Sequence, residues 1–339
     1  MARKESPDNW LEGMGLPKPF YCTPMGAAIL GNSREILGCL PAESVDLIIT
    51  SPPFALRRKK DYGNVDADEY VEWFRPFALE FKRVLKDKGS LVIDIGGSWN
   101  PGEPTRSLYQ YELLLDLAKL GLKLCQEFFW LNPSRLPSPA EWVNVRRIRV
   151  KDAVDPVWWM SKSAYPKADN RRVLREYSES MRHLIANGYK AKLRPSGWDI
   201  SKNFQKDLGG SIPPNLLEIA NTESNSWYLR SCAKAGLKPH PARFPAKLPA
   251  FFIEFLTHQG DLVVDPFAGS NVTGEVAESR GRRWLAFELR EEYLLGSRSR
   301  FERPGPLHGL PGGGTPIQTR LDRMVTPTEG KTRSTSATT

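Results

Sequence analysis

The chain has 339 residues, 40% of them hydrophobic, enough for a large core, so one big domain plus a smaller one, or a domain with an insert, is expected. No apolar run is long enough to cross a bilayer and no leader pattern opens the chain, which argues against a membrane enzyme and for the cytoplasm. Four scattered cysteines argue against a disulfide scaffold or a cysteine-built metal centre, and a formal charge of +9 favours a polyanionic partner.

Residues 1–20, rich in Pro, Gly and charge, are expected as a flexible N-terminal arm. Residues 27–30 read as a short strand, and Asn32-Ser33 caps a helix through Cys39 that Pro41 ends. Residues 45–50 form a continuous apolar run, the pattern of a parallel strand buried on both faces. Ser51-Pro52-Pro53-Phe54 comes next. Neither proline can donate to a ladder, so an extended hook leaves the carboxyl end of the strand, where open α/β sheets bind ligands. An exocyclic amine on a base is a poor nucleophile because its lone pair is delocalised. A hydroxyl oxygen and a carbonyl oxygen placed around it would favour the pyramidal form that attacks, and an aromatic ring would stack on the base. In a chain with 28 prolines, a proline-rich strand exit without function is the plain alternative.

Arg57-Arg58-Lys59-Lys60 follows the hook and suits a phosphate-contacting loop, although a solvated charge run is the common case for such a cluster. Apolar residues at Tyr70, Phe74, Phe77, Phe81 and Leu85 predict a helix over 66–86 whose face is core. Residues 90–95 are a second buried strand, in which Asp94 stands among apolar neighbours and needs a partner or a task. A helix over 105–120, a strand over 122–131 and a return strand over 154–160 follow. The intervening loop 132–153 carries Arg135, Arg146, Arg147, Arg149 and Lys151 and is expected on the same face as the hook. Residues 162–239 are polar, basic and broken by Gly and Pro, and read as an inserted module. After them, a helix over 249–258 and a strand over 261–265 lead into Pro266-Phe267-Ala268-Gly269-Ser270-Asn271-Val272-Thr273-Gly274, which opens a helix to about Arg280. The next strand, 284–288, ends on Glu288, as an acid about 20 residues beyond a glycine turn does where ribose hydroxyls are bound. Residues 304–339 collapse into Pro, Gly, Thr and Ser and are expected as a disordered tail.

The Ser-Pro-Pro-Phe hook after a strand, with Asp265-Pro266-Phe267-Ala268-Gly269-Ser270 and Thr273-Gly274 far downstream, resembles the amino-methylating DNA methyltransferases. The catalytic motif precedes the donor motif, the permuted order of the beta group, and the serine resembles its cytosine-N4 branch. The resemblance implies an α/β, Rossmann-like S-adenosylmethionine-dependent fold with a mostly parallel seven-stranded sheet in permuted order. It implies a catalytic half over 21–161, a target-recognition region over 162–239 and a donor-binding half over 240–303. Ser51 and the Pro52 carbonyl would accept from the cytosine amine, Pro53 would shape the hook, Phe54 would stack on the flipped base, and Asp94 would contact its ring. Asp265, Pro266, Phe267, Gly269, Ser270, Asn271 and Thr273 would form the donor loop, with Glu288 on the ribose. Asn32 stands where the family has an acid facing the adenine amine. Arg57, Arg58, Lys59, Arg135, Arg146, Arg147, Arg149 and Lys151 would hold DNA. The resemblance also implies double-stranded DNA as partner, S-adenosyl-L-methionine as donor, no metal and no membrane. A cognate restriction endonuclease would act on the same site without contact, with monomer and dimer both open. Two alternatives stay open: adenine-N6 methylation by the same fold, and, from another class, a catalytically inactive DNA-binding protein.

Overall fold

The structure, a computed structural model, describes residues 8–55, 65–188, 206–222 and 226–302. Among these, nine strands pair into one sheet: β1 (Tyr21–Cys22), β2 (Gly26–Leu30), β3 (Val45–Thr50), β4 (Leu85–Asp94), β5 (Lys123–Leu131), β6 (Val154–Ser161), β7 (Leu216–Glu218), β8 (Leu262–Asp265) and β9 (Arg283–Glu288). Their order is β1-β2-β9-β8-β3-β4-β6-β5-β7. Nine strands therefore replace the seven expected. The additions are the two shortest, β1 antiparallel to β2 at one edge and β7 parallel to β5 at the other. Strands of two and three residues show no alternation in sequence and form only because a sheet edge templates them.

From β2 to β4 every pairing is parallel, and β8 and β9, late in the chain, lie between β2 and β3. That interleaving is the permuted order in three dimensions. β6 runs antiparallel between β4 and β5. The carboxyl ends of β2, β3, β4, β5, β8 and β9 and the amino end of β6 consequently meet at one rim.

Alternate strand residues face opposite layers. Ala27, Ile48, Ile93 and Phe287 join α2 (Ser33–Cys39), α3 (Tyr70–Val84) and α4 (Tyr109–Lys119) on one side. Ala28, Leu47, Ile49, Val92 and Ala286 join α7 (Lys247–Leu256), α8 (Val272–Ser279) and α9 (Glu291–Arg298) on the other. Burial on both faces explains why the strands read as continuous apolar runs. The helix expected over 105–120 starts only at Tyr109, because Trp99 and Arg106 pair in a bridged loop ahead of it.

Two regional expectations change. The described part of the arm packs: α1 (Asp8–Leu11) and the turn Glu12–Met14 bring Trp10, Leu11, Met14 and Leu16 against the core. The region 162–239 is only partly an insert. Lys167 holds Asp46 and Asp261 at 3.0 and 2.6 Å, and Arg172 caps the carbonyls of Thr257 and Phe255. Farther on, β7 joins the sheet, and α6 (Trp227–Lys234) packs on α9 so closely that a Cβ at Gly296 would come to 3.0 Å from Cys232 Sγ. After Arg175, which bridges to Ser211, helix α5 (Glu179–Asn187) fully buries no residue. The expected disordered tail lies outside the described residues.

Close packing yields a stability prediction. A Cβ at Gly26 would come to 2.2 Å from the indole of Trp284, which is fully buried, stacked on Phe301 and hydrogen-bonded to Glu278. The indole cannot yield, so Gly26→Ala is expected to cost about 1–3 kcal/mol or more and to lower the thermal midpoint. Gly38→Ala, in helix α2 with nothing within 4 Å of the new methyl, is expected to hold or raise it. Parallel melts of the two variants check the pair.

Candidate active site

β3 delivers the hook at the rim, and three groups brace it there. Tyr70 on α3 donates its hydroxyl to the Pro53 carbonyl at 2.8 Å. Tyr109 on α4 accepts from the Ala55 N–H and donates to the Gly96 carbonyl. Burial pushes both phenols up, so they stay neutral donors. Gly96 follows from close approach: a Cβ there would lie 2.5 Å from the Phe54 ring and 3.2 Å from Asp155 Oδ1. Only glycine lets the ring lie against the loop after β4.

β4 ends on Asp94 and β6 opens near Asp155, so two buried carboxylates meet beside Ser51. Arg135 forks onto Asp155, with Nη1 on Oδ1 at 2.9 Å and Nη2 on Oδ2. The Ser51 hydroxyl donates to Asp94, and Asp94 Oδ1 is buried with no hydrogen-bond partner among the described residues. Burial first, then the Asp155 charge, hold Asp94 well above the usual carboxylate range. The Ser51 bond and the Arg135 charge pull the other way. Ser51, Phe54, Asp94, Trp130, Arg135 and Arg243 line a cavity of about 390 Å³, within the range of small-molecule sites. Asn132 Oδ1 accepts from the N–H groups of Ser134 and Asn221, and Asn221 donates to the Arg243 carbonyl at 2.7 Å, tying three stretches of chain into the wall.

One strand over, Asp265 ends β8 and is spent internally. It accepts from Thr50 at 2.8 Å, the Phe267 N–H at 3.1 Å and Thr273 at 2.7 Å, while burial lifts it to about 6. The Pro266 carbonyl accepts from Ser33, and Ser270 accepts from Arg300 through both its carbonyl and its hydroxyl. Asn271, in the left-handed region at φ 54°, caps α8 through the Gly274 N–H and donates to Tyr21. These side chains build the loop from within. Phe267, partly exposed, rests on Trp73 and Phe77 at 6.0 and 5.1 Å. Gly269, at φ 52°, allows the His240 ring to come within 3.0 Å of where a Cβ would be. Glu288 ends β9 and takes the N–H of Gly269 and of Arg290, each at 2.9 Å; burial pushes its carboxyl up. Leu30 pairs with Glu288 in register, which puts Asn32 nearby, exposed and capping α2 through the Arg34 N–H.

The rim thus brings Ser51, Phe54, Asp94 and Arg135 into one cavity, and Phe267, Gly269, Glu288 and Asn32 beside it. The Thr50–Asp265 bond joins the halves. Arg146, Arg147, Arg149 and Lys151 are exposed on loop 132–153, whereas Arg135 is turned into the cavity. Arg57, Arg58 and Lys59 lie outside the described residues. No group of three or more His, Cys, Asp or Glu among the described residues could hold a metal ion. Sequence reasoning missed Asp155, Asn132, Asn221 and the lining 241–244. For Asp155 the signal was available: like Asp94, it is an acid within an otherwise apolar strand.

A DNA methylase family model (N6_N4_Mtase) matches residues 45–298. The Type II methyltransferase M.PvuII of Proteus hauseri is 54% identical over 288 residues, 84% of this chain and 86% of that protein. DNA adenine methyltransferase YhdJ of Escherichia coli is 28% identical over 272 residues, 78% of this chain and 79% of that protein. The solved PvuII DNA methyltransferase (cytosine-N4-specific) superposes with a TM-score of 0.69 over 91% of this chain and 94% of its own, at 44% identity. A DNA modification methylase of Thermus thermophilus, TTHA0409, shares the fold at 21% identity and a TM-score of 0.52, over 84% of this chain and 96% of its own.

Proposed function

The chain belongs to the DNA methylase family matched over residues 45–298, and from that premise we propose that it methylates N4 of a cytosine turned out of double-stranded DNA, as the modification arm of a type II restriction system. It is a methyltransferase whose methyl donor is S-adenosyl-L-methionine. The observation that carries the reading is the pairing of Ser51 with Asp94, a buried acid with an unpartnered oxygen in the wall of a cavity.

Ser51 donates to Asp94, which leaves its oxygen lone pairs for an amine N–H. Tyr70 occupies the Pro53 carbonyl, and the Pro52 carbonyl takes the second N–H. The two acceptors draw the amine toward the pyramidal form, and Phe54 supplies the stacking face. As nitrogen gains a methyl group it must lose a proton. Asp94, made more basic than an ordinary carboxylate by burial and then by the Asp155 charge, is suited to receive it. A paired amine cannot enter such a wall, so the base leaves the stack first. Cytosine offers O2 where adenine carries a C–H, and the Arg135 guanidinium, fixed by Asp155, suits O2 rather than a phosphate. The relation to M.PvuII supports the same choice.

The donor fits residues present here. Glu288 ends a strand with its carboxylate held by two backbone N–H groups, Gly269 permits backbone approach, and Phe267 offers a half-exposed ring. The donor supplies an electrophilic methyl group; Glu288 takes the ribose hydroxyls, Phe267 the adenine face, and Asn32 the adenine amine through an uncharged carbonyl. Pro266, Ser270, Asn271 and Thr273 hold the loop that presents these groups. Arg146, Arg147, Arg149 and Lys151, with Arg57, Arg58 and Lys59, grip phosphates. Target recognition belongs to 162–239, between the halves 21–161 and 240–303. The enzyme works in the cytoplasm alongside an endonuclease of the same site, without direct contact.

The test is nucleoside analysis of DNA from cells expressing the protein, with single-molecule sequencing for the site. N4-methylcytosine is expected at one sequence. Ser51→Ala is expected to lower turnover by about 10²–10³-fold with donor binding intact. N6-methyladenine, or unchanged turnover in the variant, would overturn the reading.

A further inference from the structure

Loop 132–153 leaves the cavity wall and returns to it, and it shows aliphatic side chains to water. Leu136 is 79% exposed, Val150 86%, Val145 70% and Ile148 48%. The loop is nonetheless well folded. Trp142 is buried at its centre, and its carbonyl accepts from the N–H groups of Ile148 and Arg149. Asp152 takes the indole N–H of Trp99 and the Arg106 guanidinium, and Arg149 reaches the Pro104 carbonyl. An apolar centre was thus available inside the loop, and these side chains stayed outside it.

Their position is defined. Lys151 Nζ bridges the carbonyls of Pro133 and Arg135, both at 3.3 Å. The bridge closes the loop at its base and sets Leu136 and Val150, the neighbours of the clamped residues, beside the cavity that Arg135 lines. Exposed Arg146, Arg147 and Arg149 are interleaved with them. A second copy of a chain of net charge +9 would meet that surface with repulsion. A polyanion with an apolar interior matches both of its components: phosphates outside, stacked bases within.

We propose that Leu136 and Val150 form a wedge that enters the duplex at the gap left by the extruded base, while the interleaved arginines hold the flanking phosphates. This rests on the DNA-methyltransferase reading above. A side chain filling the gap stabilises the extruded state by restoring contacts to the neighbouring base pairs and by excluding the returning base. The wedge acts on extrusion and leaves methyl transfer to an extruded base alone.

The experiment uses the full chain with Leu136→Ala and Val150→Ala combined. The substrates are two oligonucleotide duplexes carrying the site found by sequencing, one with the target paired and one with it opposite an abasic position. Both residues are on the surface, so folding is not at risk, and a melt together with donor titration documents that. Single-turnover methylation of the paired duplex is expected to fall at least tenfold, and that of the unpaired duplex to stay within twofold of wild type. Val150→Ala alone is expected to fall between. Equal losses on both duplexes, or no loss on the paired one, would overturn the wedge. A wild type inactive on both duplexes overturns the methyltransferase reading and the wedge with it.

Discussion

Asp94→Asn is expected to produce a protein that is slower and, at neutral pH, more stable. The first half follows from the proton the amine must lose. Asn keeps the shape and can still accept from Ser51, but it cannot take up a proton, and losing a general base costs about 10²–10⁴-fold in turnover. The second half follows from linkage. Burial and the Asp155 charge raise the Asp94 carboxyl well above its ordinary range, so the native state binds that proton more tightly than the unfolded chain, where a carboxyl titrates near 4. The stability this group contributes is complete below the unfolded value and is lost as pH rises through the folded one. Above that, the native protein must either ionise a buried acid beside another or hold a proton against the solvent. Asn has neither burden. The difference in thermal midpoint, variant minus wild type, should therefore grow as pH rises from about 4 toward neutrality. A variant less stable than wild type across the whole range would mean that Asp94 is a structural anchor, and its assignment as proton acceptor would fall.

The same cluster shows why parts of the site could be read from sequence and parts could not. Ser51, Phe54 and Asp94 sit at the ends of long apolar strands, where continuous apolar runs and two prolines mark the position and the sheet fixes the rim. Asp265 and Glu288 were legible for the same reason. Asp155 carries a local signal, an acid within an apolar strand, but nothing local shows its partner, Arg135, twenty positions earlier and on the far side of a folded loop. The direction of Arg135 was equally hidden: a cation in a basic stretch reads as a phosphate contact until a buried carboxylate is found under it. The edge strands β1 and β7 are too short to leave a pattern, and β7 exists because β5 offers it an open edge. The packed segment after residue 8 was concealed by its composition. Proline, glycine and charge dominate 1–20, yet four apolar side chains among them, Trp10, Leu11, Met14 and Leu16, suffice to dock that segment on the core. In each case the missing information is a long-range pairing that no local period carries.

The donor side permits a sharper separation of roles. Glu288→Gln is expected to weaken donor binding about 10–100-fold, the equivalent of one or two hydrogen bonds to a charged acceptor at about 1.5 kcal/mol each, with DNA affinity unchanged. The substitution also places an amide N–H₂ where the carboxylate now takes the N–H groups of Gly269 and Arg290, so loss of affinity alone does not isolate the ribose contact. Two further readouts do. Burial raises the Glu288 carboxyl, and the charged form is the one that accepts from hydroxyls. Donor affinity in the wild type should thus fall as pH drops through a value above the ordinary glutamate range, and the Gln variant should lack that step. The second readout pairs the variant with a ligand change. Calorimetric titration with S-adenosylhomocysteine and with an analogue lacking the ribose hydroxyls gives four affinities. If Glu288 holds those hydroxyls, removing them weakens binding to the wild type and changes little in Glu288→Gln. If the acid only braces the Gly269 loop, the two losses add. Additivity would move the ribose contact elsewhere on the rim and leave Glu288 as a support for the turn at Gly269.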